Sequence, residues 1–214
     1  MAKESLRKFY GVLIVMGFIS SVGVVRASAQ TIIDEWNAVQ APKPPELKSV
    51  TVDAKTTALL VLDIVKQGCN DKRRPRCVAS APKIQGLLKQ ARANGMLVVH
   101  SLTSSSTAAD ILKEATPRDG EPIVQSSVDK FFGTDLEKIL KEKGIKTVIV
   151  VGTAAHGAVL YTGSGAALRG LGVIVPVDGM SAEDAYFEQY VAYHMTKAPG
   201  VGQKVTLTKI DMIK

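Results

Sequence analysis

Two short segments carry the residue types from which chemistry could be built. Thr57-Ala-Leu-Leu-Val-Leu-Asp63 ends an apolar run on a carboxylate, and Gly152-Thr-Ala-Ala-His-Gly-Ala158 follows the apolar run 147–151 and leads into a helix-like stretch. In parallel α/β sheets, ligands gather at the carboxyl ends of strands, where turn and helix N-terminal N–H groups point. A carboxyl group there is partly desolvated, which raises its pKa and suits Asp63 to proton transfer; the plainer role is a cap for a helix or loop. Ala158, best placed to emerge from the second turn, has no reactive atom. That turn therefore offers backbone N–H groups rather than a nucleophile. His100 and Asp178 also end apolar runs, and both could equally be hydrogen-bonded structural groups at the sheet edge.

The surrounding pattern must supply the scaffold. Apolar strands are expected at 57–65, 96–101, 146–152, 172–178 and near 204–210. Helices are expected from Val78 to Gly95, from 133 to 144 between a Thr134 N-cap and a Gly144 C-cap, around 157–170, and over 181–195. Residues 102–130 read as loop with a short helix near 108–114. Continuously apolar strands alternating with helices imply a three-layer α/β fold, a parallel sheet covered on both faces. Residues 55–214 form one domain, and the proline-rich stretch 30–54 is an arm or linker to it.

Lys3, Arg7 and Lys8 precede an apolar run from Phe9 to about Val25, and Ala27-Ser28-Ala29 fits a small-x-small cleavage site. This is a secretory signal pattern (1–29) with cleavage after Ala29, implying a secreted or periplasmic protein without stable membrane insertion. The alternative is a retained anchor, which the shortness of the run and its Gly and Ser interruptions disfavour. Residues 1–29 hold four basic side chains against Glu4, so the processed chain would carry +4 instead of +7. The remaining excess is scattered except at Lys72-Arg73-Arg74-Pro75-Arg76. Such a loop can meet an anionic surface but more often is merely solvated, and no nucleic-acid module is present. Cys69 and Cys77 flank this loop; in an exported chain their spacing favours a disulfide over Cys69 acting as a nucleophile. Three scattered histidines give no metal-ligand spacing, so no metal is expected. Gly152-x-Ala154-x-x-Gly157 outlines a dinucleotide fingerprint, but Ala154 replaces the middle glycine and too little chain follows; no cofactor is expected.

"TALLVLDIV", "DKFFGTDLEKILKEKGIKTVIVVG" and "GTAAHGAVLYTGSGAALRGLGVIVPVDGMSA", over about residues 55–212, together resemble the isochorismatase-like hydrolase superfamily. The resemblance implies a six-stranded parallel sheet with helices on both faces, and commonly an oligomer. Its catalytic aspartate falls on Asp63 and its nucleophilic cysteine on Ala158. Its usual lysine falls on Gln125, with Lys130 a substitute if its orientation allows, since neighbouring strand positions face opposite ways. The nicotinamidase metal ligands are absent. True isochorismatases also lack the cysteine and carry an Ala-His pair comparable to Ala155-His156. They cleave a vinyl ether with a proton from the aspartic acid.

The resemblance also implies a non-proline cis peptide just after the turn glycine, here joining Thr153 to Ala154, beside Asp63. The expected substrate-binding residues are Gln125, His100, Phe131, Thr153, Ala154 and His156. The expectation is thus a cysteine-independent hydrolase of a small molecule, catalysed by Asp63 with Lys130. The alternative is an inactive small-molecule-binding protein that kept the pocket. The aromatic residues Tyr186, Phe187, Tyr190 and Tyr193 on the 183–195 helix are candidates for burial in a homo-oligomer.

Overall fold

The computed structural model describes residues 31–214. The signal pattern lies outside the described residues. Among the described residues, 31–41 fall in one compact unit and 42–214 in another. The described part of the first holds a one-turn helix, α1 (Ile32–Glu35), whose Thr31 N–H and hydroxyl donate to the Asp34 carboxylate.

The second unit is a parallel sheet between helices. Its strands are β1 (Thr57–Leu62), β2 (Leu97–Leu102), β3 (Ile123–Gln125), β4 (Thr147–Thr153), β5 (Gly172–Pro176), β6 (Met180–Ser181) and β7 (Val205–Thr208). The order across the sheet is β3-β2-β1-β4-β5-β7, and the two-residue β6 adds to the end of β4. The main path therefore has the six strands expected, and every pairing is parallel. The sequence pattern missed β3, because three residues after Pro122 are too few to show a period.

Side chains of the central strands alternate between two cores, as a strand's period of two requires. Leu60, Leu62, Val148 and Val150 face one core, with Leu136 and Leu140 of α3 (Leu136–Glu142), Ala166 of α4 (Leu160–Leu168), and Val191 and Met195 of α5 (Ala185–Lys197). Leu59, Val61, Ile149 and Val151 face the other, with Ile84, Leu87 and Leu88 of α2 (Pro75–Ala93). Burial on both faces is why β1 reads as an unbroken apolar run. Pro75 starts α2 at its first turn, where a missing N–H costs nothing, three residues earlier than the apolar pattern indicated. Thr134 was expected to cap α3. Its hydroxyl does accept from the Leu136 N–H, although the helix begins after Asp135.

The part of the arm within the second unit meets the end of β7 and the C-terminal residues that follow it. Lys48 N–H donates to Leu207 O at 2.9 Å, and Val50 forms a parallel bridge with Ile213.

Between α2 and β2, Arg92, Glu121 and His100 form a buried polar cluster. Glu121 accepts from Arg92 through both oxygens at 2.7 Å and meets His100 Nε2 at 2.9 Å. His100, expected near substrate, is 1% exposed and engaged here instead. Burial lowers its pKa, with Glu121 opposing. Burial disfavours ionised Glu121, but Arg92, the Arg118 N–H and His100 outweigh it and hold the carboxyl down at about 2. A depressed folded-state pKa gives stability that is present above the ordinary value and lost as pH falls. For Glu121 that window runs from 4.5 down to about 2, and for His100 the loss begins below 6.5. Melting temperature should therefore drop between pH 5 and pH 3. Glu121→Gln should cost about 2–3 kcal/mol at pH 7 and flatten that acid slope in thermal melts. An unchanged slope would assign the acid lability to other carboxylates.

Candidate active site

The candidate site forms where β1, β2 and β4 end together. β1 pairs with β2 as Val61↔His100 and with β4 as Leu62↔Gly152, which brings Asp63, Ser101 and the 152–158 turn to one edge. Asp63 takes a left-handed backbone conformation, φ 53°, which aspartate tolerates better than most residues. Ser101 holds it at two points. The Asp63 N–H donates to Ser101 Oγ at 3.2 Å, and Ser101 Oγ donates to Asp63 Oδ1 at 2.7 Å. Lys130 Nζ lies 2.9 Å from Asp63 Oδ2. That ammonium is fully buried and also donates to the carbonyls of Leu102, Ser126 and Ser127 at 3.1, 2.9 and 2.7 Å. Burial pushes the Asp63 carboxyl up, against the opposing pull of Lys130 and Ser101.

The turn after β4 approaches β1 closely. A Cβ built on Gly152 would stand 2.0 Å from Leu62 O, and its φ of 128° suits glycine, so no larger residue fits. The Thr153–Ala154 peptide is cis. Thr153 Oγ1 donates to Ser181 O at 3.0 Å, so β6 anchors the turn. Residues Ala155–Val159 form a wide π-type turn that leads into α4.

These elements enclose a pocket of about 300 Å³. Asp63, Thr153, Ala154, Ala158, Arg73 and Arg74 are among the residues that line it. The arginines sit on the loop closed by the Cys69–Cys77 disulfide, and both cysteines are buried. These are the chain's two cysteines, so neither is a free thiol. Among the described residues, no group of three or more His, Cys, Asp or Glu side chains is arranged to hold a metal ion.

The remaining expected residues are distributed unevenly. Lys130 meets Asp63 because residues 126–135 are loop and not strand, so the alternation that placed Lys130 and Phe131 on opposite faces does not apply. Gln125 is not at the carboxylate. Its side-chain amide donates to Thr103 O at 2.9 Å and Ser106 O at 2.8 Å, bracing the loop after β2. Phe131 packs in the core under the Arg169 guanidinium, 4.3 Å from the ring centroid. His156 stacks on Phe187 at 4.0 Å between centroids. Sequence reasoning missed Ser101, Arg73 and Arg74. Ser101 was legible in principle, since it faces opposite to His100 at the same strand end.

The acid after the first strand, the buried lysine against it and the turn at the end of the adjoining strand thus share one edge of the sheet. The isochorismatase domain family model matches residues 57–208. The secreted isochorismatase effector Isc1 of Verticillium dahliae is 30% identical over 146 residues, 63% of this chain and 77% of that protein. An isochorismatase-like hydrolase from Alkaliphilus metalliredigens superposes with a TM-score of 0.66 at 23% identity, covering 73% of this chain and 87% of its own. An isochorismatase from Pseudomonas putida KT2440 superposes with a TM-score of 0.67 at 17% identity, covering 77% and 93%. The chain belongs to the isochorismatase-domain family.

The disulfide makes a direct prediction. Native protein should titrate no free thiol in denaturant before reduction and two afterwards, with alkylating reagents leaving the unreduced protein unmodified. Two free thiols in the native protein would mean that the loop is not stapled.

Proposed function

We propose that this chain is an exported hydrolase of the isochorismatase family that acts on a small molecule, with Asp63 as general acid and base and without a cysteine nucleophile. The observation that carries this reading is the Asp63–Lys130 contact of 2.9 Å in a pocket that both Asp63 and Ala158 line. Ala158 stands where the family cysteine would be, and both cysteines of the chain are spent in the disulfide. Covalent thiolate catalysis therefore has no nucleophile in this reading.

Acid-catalysed cleavage of a vinyl ether needs none. Asp63 donates its proton to the terminal alkene carbon, leaving an oxocarbenium ion. Water adds to that cation and returns a proton to the Asp63 carboxylate. The resulting hemiketal then splits into a ketone and an alcohol. Burial raises the Asp63 pKa, the direction a proton donor near neutral pH requires. Lys130 holds the carboxylate in place between turnovers. Export is supported by the signal pattern at 1–29, by the disulfide, and by the secreted relative.

A screen of vinyl ethers and small amides against wild-type protein and Asp63→Asn tests the reading. Turnover in the wild type should fall by about 10²–10⁴-fold in Asp63→Asn. Turnover that survives the substitution would remove Asp63 from the chemistry, and no turnover of any compound would favour a binding protein.

We further propose that the protein self-associates through α5, where Tyr186, Phe187, Tyr190 and Tyr193 are 66%, 37%, 41% and 39% exposed. Light scattering at micromolar concentration should give a multiple of the chain mass, and Tyr190→Glu should shift it toward the monomer. A wild-type monomer would refute this.

A further inference from the structure

We propose that closing the Cys69–Cys77 disulfide is the step that completes the pocket: the closed loop braces the 152–158 turn through the 181–188 segment, so the site is assembled only once the chain has been oxidised. The inference rests on the readings of this pocket as the active site and of the chain as exported.

The loop is part of the pocket wall, since Gln67, Gly68, Arg73 and Arg74 line it. Its flanks are well held. On one side Lys66 N–H donates to Asp110 O at 2.9 Å and Leu112 N–H to Ile64 O at 3.0 Å, and on the other α2 begins at Pro75. Between them the hydrogen bonds are local. Arg74 N–H donates to Asn70 O at 2.8 Å, and Asn70 Oδ1 accepts from the N–H groups of Lys72 and Arg73 at 3.1 and 3.0 Å. A cross-link between residues eight apart removes many conformations open to such a stretch.

Two arginines carry that order outward. Arg74 pairs with Glu183, and Arg76 Nε donates to Glu188 Oε1 at 2.7 Å while its Nη2 meets Glu188 Oε2. Glu188 Oε1 also accepts the Ala182 N–H at 3.0 Å. The segment fixed in this way touches the turn twice. Ser181 O accepts from Thr153 Oγ1 at 3.0 Å, and Phe187 stacks on His156. Ion pairs between partly exposed side chains contribute little unless both partners are already placed, because ordering two long side chains offsets the contact. The disulfide supplies that placement for Arg74 and Arg76.

The closing step needs an oxidant that carries a disulfide. One cysteine thiolate attacks that disulfide, forming a mixed disulfide and releasing one thiol of the oxidant. The second cysteine thiolate then attacks the protein sulfur of the mixed disulfide and releases the other thiol. The pair gives up two protons and two electrons, and the oxidant departs as a dithiol. Cys69 and Cys77 are 2% and 0% exposed, so the finished bond is shielded from the reverse attack.

Amide hydrogen exchange reads the brace without turnover, so a substrate screen that fails leaves this test intact. The oxidised chain is compared with Cys69→Ser/Cys77→Ser. The Ala182, Gly157 and Val159 amides, bonded to Glu188 Oε1 and Ala154 O, should exchange faster in the variant by about tenfold or more. The Gly144 and Ile145 amides at the end of α3 should change by about twofold at most. Arg76→Met, with its disulfide closed, should still accelerate Ala182 and Gly157 by about threefold. Equal rates at the three amides in the two redox forms would overturn the proposal. Equal acceleration at Gly144 and Ile145 would do the same, because the disulfide would then add only overall stability. Should the double-serine chain fail to fold, Arg76→Met decides alone: unchanged exchange at Ala182 and Gly157 there refutes the brace.

Discussion

An ammonium with no exposed surface must find its whole solvation inside the protein, and Lys130 is such a group. Its four acceptors come from three places in the chain: the residue after β1, the last residue of β2, and the loop that precedes α3. Satisfying one charge therefore ties three segments of the chain to one point. Asp63 is caught in the same arrangement, because its carboxylate is both the counter-ion of Lys130 and the acceptor of Ser101. Truncating Lys130 would leave the buried Asp63 carboxylate without its counter-ion and the Ser126 and Ser127 carbonyls without that donor, so stability and site geometry depend on the same atoms.

The scaffold was largely readable because burial on two faces leaves an obvious trace. β1, β4 and β5 are nearly continuous apolar runs, and the run that ends on Asp63 marks a strand end. β3 left no such trace, being three residues long. The site was less readable, for three different physical reasons. Lys130 was noticed but judged by strand alternation, a rule that has no meaning in the loop where it lies. At the end of β2, attention fell on the titratable His100, whereas the hydroxyl that holds Asp63 belongs to its neighbour on the other face. Arg73 and Arg74 belong to a charge run, and a solvated run has the same composition as one folded back over a pocket. Only the disulfide and the Asn70 hydrogen bonds distinguish the two cases.

The turn after β4 is held by its backbone and its neighbours and not by the side chain at position 158. Gly152 is demanded by Leu62 O, Thr153 is tied to Ser181, and the backbone from Ala154 onward faces the pocket whatever occupies position 158. Main-chain donors do not change with a side-chain substitution, so the same turn can serve chemistries that differ in whether they need a thiolate.

The two margins of the sheet carry a separate consequence, for how copies of this protein can meet. An unpaired strand invites another chain to add to it, the route to fibres and swapped assemblies. Here one margin is β3, whose three residues offer too short a ladder for a stable graft. The other is β7, where the Lys48 N–H takes Leu207 O, while Val50 and Val52 pair with the chain that follows β7. Strand-by-strand extension is thereby discouraged at both ends, and the surfaces left for association are the outer faces of the helices. Trimming the residues around Lys48–Val52 would uncover a templating edge, so their value to the protein lies as much in colloidal behaviour as in fold stability.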